Sequence, residues 1–331
     1  MENIFIGNPQ VVTFFKKILE EKSLVSTYLF SGPDSVGKKY FASLIAKSLL
    51  CKNEKLFGCN ECTACHKIDK KIHPDFWIYE PENLMITIDQ IRTLIQRLKL
   101  KPSESTYSIH IIDAVETMRI EAANAFLKIT EEPPPFALIL LITTVPDLLP
   151  ATVRSRCFRI KFNRISCDEI YALLLQSKIP ENKAHLMAHW ADGSLAKALA
   201  MNFEHYSKLR ATALQILLNM NRNLQSKNFP ETLPPVFKRD RSAIEKLKED
   251  FTLLTFFLSD LLRECLNAKT NAGIIHNYDI ADEIKKLAQA VDINTLFFFM
   301  KLIEEVKEEY TVYHQNPLLL VQKLVINSVR A

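Results

Sequence analysis

Four of the chain's seven cysteines crowd into one short stretch: Cys51, Cys59, Cys62 and Cys65, spaced C-x7-C-x2-C-x2-C. Thiolates at x2 intervals can share one Zn2+, and four of them close a tetrahedral structural site. The letters CTACH also match the covalent haem motif C-x-x-C-H. Haem attachment of that kind takes place outside the cytoplasm and would leave Cys51 and Cys59 unused, so zinc is the expected occupant. His66 then follows the last ligand as a helix residue. Cys157, Cys167 and Cys265 stand alone and read as small buried side chains.

A second constellation starts at Gly32, since residues 32–38 fit G-x-x-x-x-G-K and end on Gly37 and Lys38. Such a loop closes backbone N–H groups around phosphates, its lysine reaches the β and γ phosphates, and a helix N-terminus faces the anion. The next position normally carries a Ser or Thr hydroxyl for Mg2+. Here it is Lys39, which offers no oxygen and adds positive charge. Asp113 follows the apolar run 109–112, where an acid directed at Mg2+ would sit; it would serve equally as the cap of a turn. The carboxylate that activates water is expected next, but that residue is Ala114, and Glu116 is expected to point elsewhere. Two defects in one site describe a phosphate loop by descent that has lost its metal ligand. His185 and His189 share a helix face at i, i+4; with no zinc-protease Glu and no third ligand they read as ordinary packing.

Elements must hold these residues in place. Short apolar runs at 28–30, 75–79, 109–112, 138–142 and 158–162 read as strands, and the third and fourth are continuous, as strands buried on both faces are. Helical patterns at 38–50, 89–98 and 120–131 lie between them, and strands alternating with helices indicate a parallel α/β sheet. This domain is expected to end near residue 165. Short helical patterns follow to about 200, then long amphipathic ones to the end, including 293–309 and 317–329. The run 237–250 mixes both charge signs and reads as a solvated helix face. Glycine is scarce, six in 331 residues, and half of them fall at Gly32, Gly37 and Gly58, so the remainder is expected to be largely helical.

The bulk numbers exclude little but point one way. Hydrophobic content of 48% and charged content of 24% suit a globular protein, and the net charge of +4 permits nucleic-acid contact without arguing for it. The opening letters MENIFIGNPQ show no basic region followed by an apolar run. The apolar stretches 136–143 and 251–262 fall short of the roughly 20 residues a membrane helix needs. A cytoplasmic protein with reduced cysteines is expected.

With these residues in place, the sequence resembles the bacterial DNA polymerase III clamp-loader ATPases of the AAA+ class, their delta-prime branch most closely. The resemblance covers most of residues 1–200. It rests on YLFSGPDSVGK, the cysteine module, HPDFWIYEP, IDQIR, ANAFLKITEEPPP, LLITTVPDLLPATVRSRC and GSLAKAL. Total length also suits that branch better than the longer gamma/tau subunits. The fold implied is α/β: an AAA+ P-loop domain over 1–165, with a five-stranded parallel sheet and a four-cysteine zinc module. A small helical lid over 166–204 and an all-α oligomerisation collar over 205–331 follow.

The resemblance also assigns roles and shows departures. The cysteine module is one residue shorter than usual between its first two ligands. In ATP-hydrolysing relatives an arginine after Gly-Ser-Leu touches the γ-phosphate; here that position is Ala196, with Lys197 beside it. Thr143 and Thr144 keep the polar sensor after the fourth strand, and Ser155-Arg156-Cys157 keeps the arginine motif that acts on a neighbour's ATP. The implied nucleotide set, Gly32, Gly37, Lys38, Asp113, Thr143 and Thr144, is therefore degenerate, with weak or absent ATP binding. The implied function is a non-hydrolysing subunit that lends Arg156 to a neighbour. It would work in a hetero-oligomeric ring of gamma/tau-like and delta-like subunits that loads the sliding clamp onto primed DNA. The family's alternative is an ATP-hydrolysing gamma/tau-like motor, against which Lys39, Ala114 and Ala196 weigh. A stand-alone zinc module for nucleic acid would leave the strand–loop–helix match and the helical half unexplained.

Overall fold

Parallel strands cannot be joined by a tight turn, so each connection has to carry the chain back across the sheet. The computed structural model describes residues 5–83, 85–225, 244–311 and 315–327. Helix α1 (Pro9–Glu20) leads into β1 (Thr27–Ser31), then α2 (Lys38–Leu50), α3 (Thr63–Asp69) and β2 (Phe76–Tyr79). There follow α4 (Ile88–Leu98), β3 (Ser108–Ile112), α5 (Ile120–Glu131), β4 (Ala137–Thr143), α6 (Ala151–Arg154) and β5 (Phe158–Lys161). The strands form one five-stranded sheet in the order β2-β3-β4-β1-β5, with every neighbouring pair parallel. The five expected strands and three expected helices stand where the apolar runs put them, with ends moved by at most one residue.

Alternation along the central strands makes two cores. In β4, Leu138, Leu140 and Ile142 face one side, where Phe15 of α1 and Phe41 of α2 meet Phe30 and Phe162. Ile139 and Leu141 face the other, against Leu94 of α4 and Phe126 of α5. All seven β4 residues are buried, which explains why the run lacks a polar alternation. A Thr87–Gln90 capping box starts α4. Asp75, buried ahead of β2, accepts from the Ser103 and Glu104 amides at 2.6 and 2.8 Å and from Ser105 Oγ at 2.9 Å. It thereby pins the loop before β3. Because all strands run the same way, their C-terminal ends lie along one edge, where the loops after β1, β3 and β4 meet. Open α/β sheets bind ligands at such an edge.

The chain separates into two compact units, residues 1–180 with 188–200 and residues 181–187 with 201–331. The first holds the sheet together with α7 (Cys167–Gln176) and α9 (Leu195–Ala200), and α8 (Glu181–Trp190) is divided between the two. The second contains α10 (Phe203–Gln225), α11 (Ile244–Thr270), α12 (Ala281–Ala290), α13 (Ile293–Thr311) and α14 (Pro317–Asn327). Among the described residues no strand follows β5. Helix α11 buries Phe251, Leu254, Phe257, Leu258 and Leu261 in this unit. Next to this apolar seam, buried Arg210 pairs with Asp279 and donates to Asn277 Oδ1 at 3.0 Å, while Asn277 donates to Asp260 at 2.9 Å. His185 packs edge-on against Tyr278. Residues 237–243 of the mixed-charge run, and the last two positions of the 317–329 pattern, lie outside the described residues. No helix among the described residues is long and apolar enough to cross a membrane.

Candidate nucleotide cleft and metal centre

The loop between β1 and α2 has the backbone its glycines were expected to permit. Gly32 has φ +147° and Gly37, immediately before α2, has φ +89°. Lys38 is the first residue of α2 and is buried, with Nζ donating to the carbonyls of Gly32 at 2.6 Å and Pro33 at 2.5 Å. Burial lowers its pKa, against the opposing charges of Asp34, Glu116 and Asp113. Lys38 thus caps the carbonyls of the loop in which a phosphate was expected.

Lys39 does something else. Its ammonium donates to Asp113 Oδ2 at 2.9 Å and to Glu80. Burial works to lower its pKa, but the two carboxylates outweigh burial and raise it. In turn the bond from Lys39 holds Glu80 below the usual carboxylate range. The register Tyr79↔Ile112 explains the arrangement, since Glu80 and Asp113 are the residues directly after paired strand ends. Sequence reasoning missed Glu80; the signal was that it stands one residue past β2, as Asp113 stands one past β3.

Glu116 corrects an expectation. It does not point elsewhere: a 3-10 turn over Val115–Thr117 swings it back into the cleft of about 340 Å3 that Lys38, Lys39, Asp113, Thr143 and Thr144 line. Its Oε1 accepts from the Thr144 amide at 3.0 Å and hydroxyl at 2.7 Å, while Oε2 is buried with no hydrogen-bond partner among the described residues. Ala114 sits at φ +49°, a tight corner that lets the turn start. Thr143 is fully buried and accepts from the Val145 amide at 3.1 Å. Ala196 reaches the same cleft. Just before α9, Ser194 donates to the carbonyl of Ser35 at 2.6 Å, a tie to the phosphate loop that no motif announced. The structure therefore brings Gly37, Lys38, Asp113, Thr143 and Thr144 together, with Gly32 shaping the loop behind them.

The four cysteines converge as well. Cys51 ends α2, Cys62 caps α3 and Cys65 lies within α3; all four sulfurs lie within 4.8 Å of one another. The Cys51–Cys62 and Cys59–Cys65 sulfurs are 3.9 and 4.0 Å apart. A tetrahedron with Zn–S bonds of about 2.3 Å has edges of about 3.8 Å, so the donor set fits zinc. Backbone N–H groups are already aimed at the sulfurs: Cys62 donates to Cys59 at 3.3 Å and Cys65 to Cys62 at 3.4 Å. Burial opposes ionisation of Cys62, but N–H bonds from Cys65 and Lys52 and from neighbouring thiols outweigh it and bring the pKa to about 6. Burial pushes Cys65 up to about 12. A cation shared by the four sulfurs would remove that penalty. Buried Lys47 bonds Asn60 at 2.8 Å and Asp69 at 2.9 Å, bracing the module against α2. Of the other cysteines, Cys265 is fully buried and Cys157 and Cys167 partly so.

Arg156 lies between α6 and β5 and is exposed. Its guanidinium donates to the carbonyl of Thr152 at 2.9 Å and to Glu131 Oε1 at 2.8 Å. The nearby Arg154 pairs with Asp147 at 2.7 Å. Both arginines have partners within the chain, as surface arginines commonly do.

Comparison with known proteins yields a consistent set. Residues 7–166 match the family model described as DNA polymerase III, delta subunit. DNA polymerase III subunit tau of Bacillus subtilis is 27% identical over 328 residues, covering 92% of this chain and 57% of that protein. Subunit gamma of Buchnera aphidicola subsp. Schizaphis graminum is 32% identical over 211 residues, 58% of each. Subunit delta' of Bacillus subtilis is 29% identical over 209 residues, 63% of each. The chain thus spans less than two thirds of the length of these curated relatives. Among solved structures, a gamma subunit-related protein of Thermotoga maritima aligns at TM-score 0.46 and 19% identity, covering 96% of this chain and 98% of that one.

Proposed function

The chain belongs to the AAA+ clamp-loader family of the DNA polymerase III subunits tau, gamma and delta', and from that premise we propose that it is a non-hydrolysing, delta-prime-like subunit of a clamp loader. One observation carries this reading: an ammonium, Lys39 Nζ, is bonded to Asp113, the acid expected to serve Mg2+. The residues present do not fit a magnesium ion. The ion lacks a hydroxyl ligand at position 39; apart from the ion, water lacks its carboxylate at 114 and a γ-phosphate its arginine at 196. The cradle can still attract phosphate through Lys38, but the parts that would move charge during hydrolysis are absent.

In this reading the chain contributes by assembly. Its partners are gamma/tau-like and delta-like subunits in a hetero-oligomeric ring, with the sliding clamp and primed DNA engaged through the complex. The second unit would supply the oligomerisation collar. Cys51, Cys59, Cys62 and Cys65 would hold one structural zinc. Arg156 would leave Glu131 for a neighbour's nucleotide, where a planar fork can bond two phosphate oxygens and stay charged when desolvated.

The competing reading, a gamma/tau-like motor, has Glu116 in its favour, because a second carboxylate does enter the cleft. Both Thr144 donors hold its Oε1, which leaves only Oε2 to act on water. ATP turnover by the purified chain separates the two readings. Background turnover, unchanged by Lys38→Ala, is expected. Steady hydrolysis that co-purifies with the chain and falls on Lys38→Ala would establish the motor instead.

A further inference from the structure

Glu80 and Asp113 end adjacent strands, and paired carboxylates at that edge form the oxygen-rich mouth a divalent cation seeks. The Lys39 ammonium stands against both. An –NH3+ group and Mg2+ cannot use the same oxygens together, yet a positive charge is still delivered there, tethered to α2 beside Lys38. We propose that the cleft takes a nucleoside diphosphate without any divalent cation, with the Lys39 ammonium in the cation's place. This rests on the loop being a nucleotide site that no longer turns over.

Charge selects the diphosphate. Gly32, Gly37 and the start of α2 keep the cradle that closes around two phosphates, and an incoming phosphate competes with loop carbonyls for Lys38. Around it, Asp34, Asp113, Glu116 and Glu80 face Lys38 and Lys39, with Lys71 3.7 Å from Glu80. A bare triphosphate adds charge to a lining that is already acidic. Glu116 Oε1 has taken both donors of Thr144, its Oε2 is buried without a donor among the described residues, and Ala196 adds no cation. An ammonium also carries one charge where Mg2+ carries two. The balance therefore suits the smaller anion.

Calorimetry on the full-length chain tests this with ADP and ATP, each in buffer freed of divalent cations and again with Mg2+. ADP affinity is expected to agree within about twofold between the two buffers, and ATP to bind at least about tenfold more weakly, about 1.4 kcal/mol. Lys39→Thr, which restores a hydroxyl and removes the charge, should lose at least about tenfold in ADP affinity without Mg2+ and regain it with Mg2+. Electron paramagnetic resonance of Mn2+ gives a readout independent of nucleotide: Lys39→Thr gains a Mn2+ site that the wild type lacks and that Lys39→Thr/Asp113→Asn loses. Glu116→Gln should narrow the gap between ADP and ATP. A wild-type chain that binds ADP only with Mg2+, prefers ATP, or binds neither overturns the proposal. Mg2+-dependent ADP binding without turnover overturns this inference alone, whereas turnover overturns the non-hydrolysing reading.

Discussion

At Gly32 a Cβ would lie 2.2 Å from the carbonyl oxygen of Phe162, a backbone atom with no side-chain torsion to relieve it, and the φ of +147° is one that L side chains rarely adopt. The amide of Phe162 meanwhile donates to Ser31 at 2.7 Å, so the segment after β5 is fixed against the loop. Gly32 is therefore required by the fold, whatever occupies the cradle. Gly32→Ala should destabilise the nucleotide-free chain by about 2–3 kcal/mol in urea titration. A shift under about 0.5 kcal/mol would mean the glycine serves ligand approach alone. The loop residues and Asp113 were legible because phosphate chemistry fixes their types and spacing locally. Glu80 and Glu116 were not, because strand register places one and a 3-10 turn places the other. Counting residues past Asp113 misjudged where Glu116 points, since that count assumes an extended chain and Ala114 turns it sharply.

At the scale of elements, the cysteine module joins the end of α2 to the start of α3. An ion at the four sulfurs would tie two helix ends and the turn between them, so its removal should act locally. Purified chain is expected to carry about one zinc, held by one set of four thiolates, and Cys62→Ser to carry well under that. Hydrogen exchange in Cys62→Ser should lose protection over residues 51–70 and keep it in β3 and β4. Undiminished zinc, or protection lost equally across the sheet, would refute the module as a local staple. The strands were readable because burial on both faces demands continuous apolar runs, as β4 shows. Their ends were less so: Thr27 and Ser31 are polar yet pair with Ile139 and Thr143, because ladder hydrogen bonds do not depend on side-chain polarity. The Ser194–Ser35 tie joins residues far apart in the chain and leaves no local pattern to read.

At the scale of the whole molecule, the proposed role of the chain is to lend a group rather than to use one. Arg156 is paired with Glu131, but both ends are substantially exposed, at 35% and 54% of the side chain, so the pair contributes about 1 kcal/mol or less and is readily exchanged. An arginine on the γ-phosphate of another subunit is worth roughly 10^3 to 10^5 in rate, far more than that pair costs to break. Three variants separate a lent arginine from a surface ion pair when each is mixed with the other loader subunits at matched assembly. Arg156→Ala should lower ATP hydrolysis by the complex by about 10^3 at the affected site and depress clamp loading. Glu131→Gln removes the same ion pair and should leave both rates near wild type. Lys38→Ala, which disables only this chain's own loop, should do so too. Equal losses in Arg156→Ala and Glu131→Gln would show that the pair acts through local structure. If the Arg156→Ala complex assembles and both rates stay at wild-type level, the trans role is wrong and Arg156 is an ordinary surface cation.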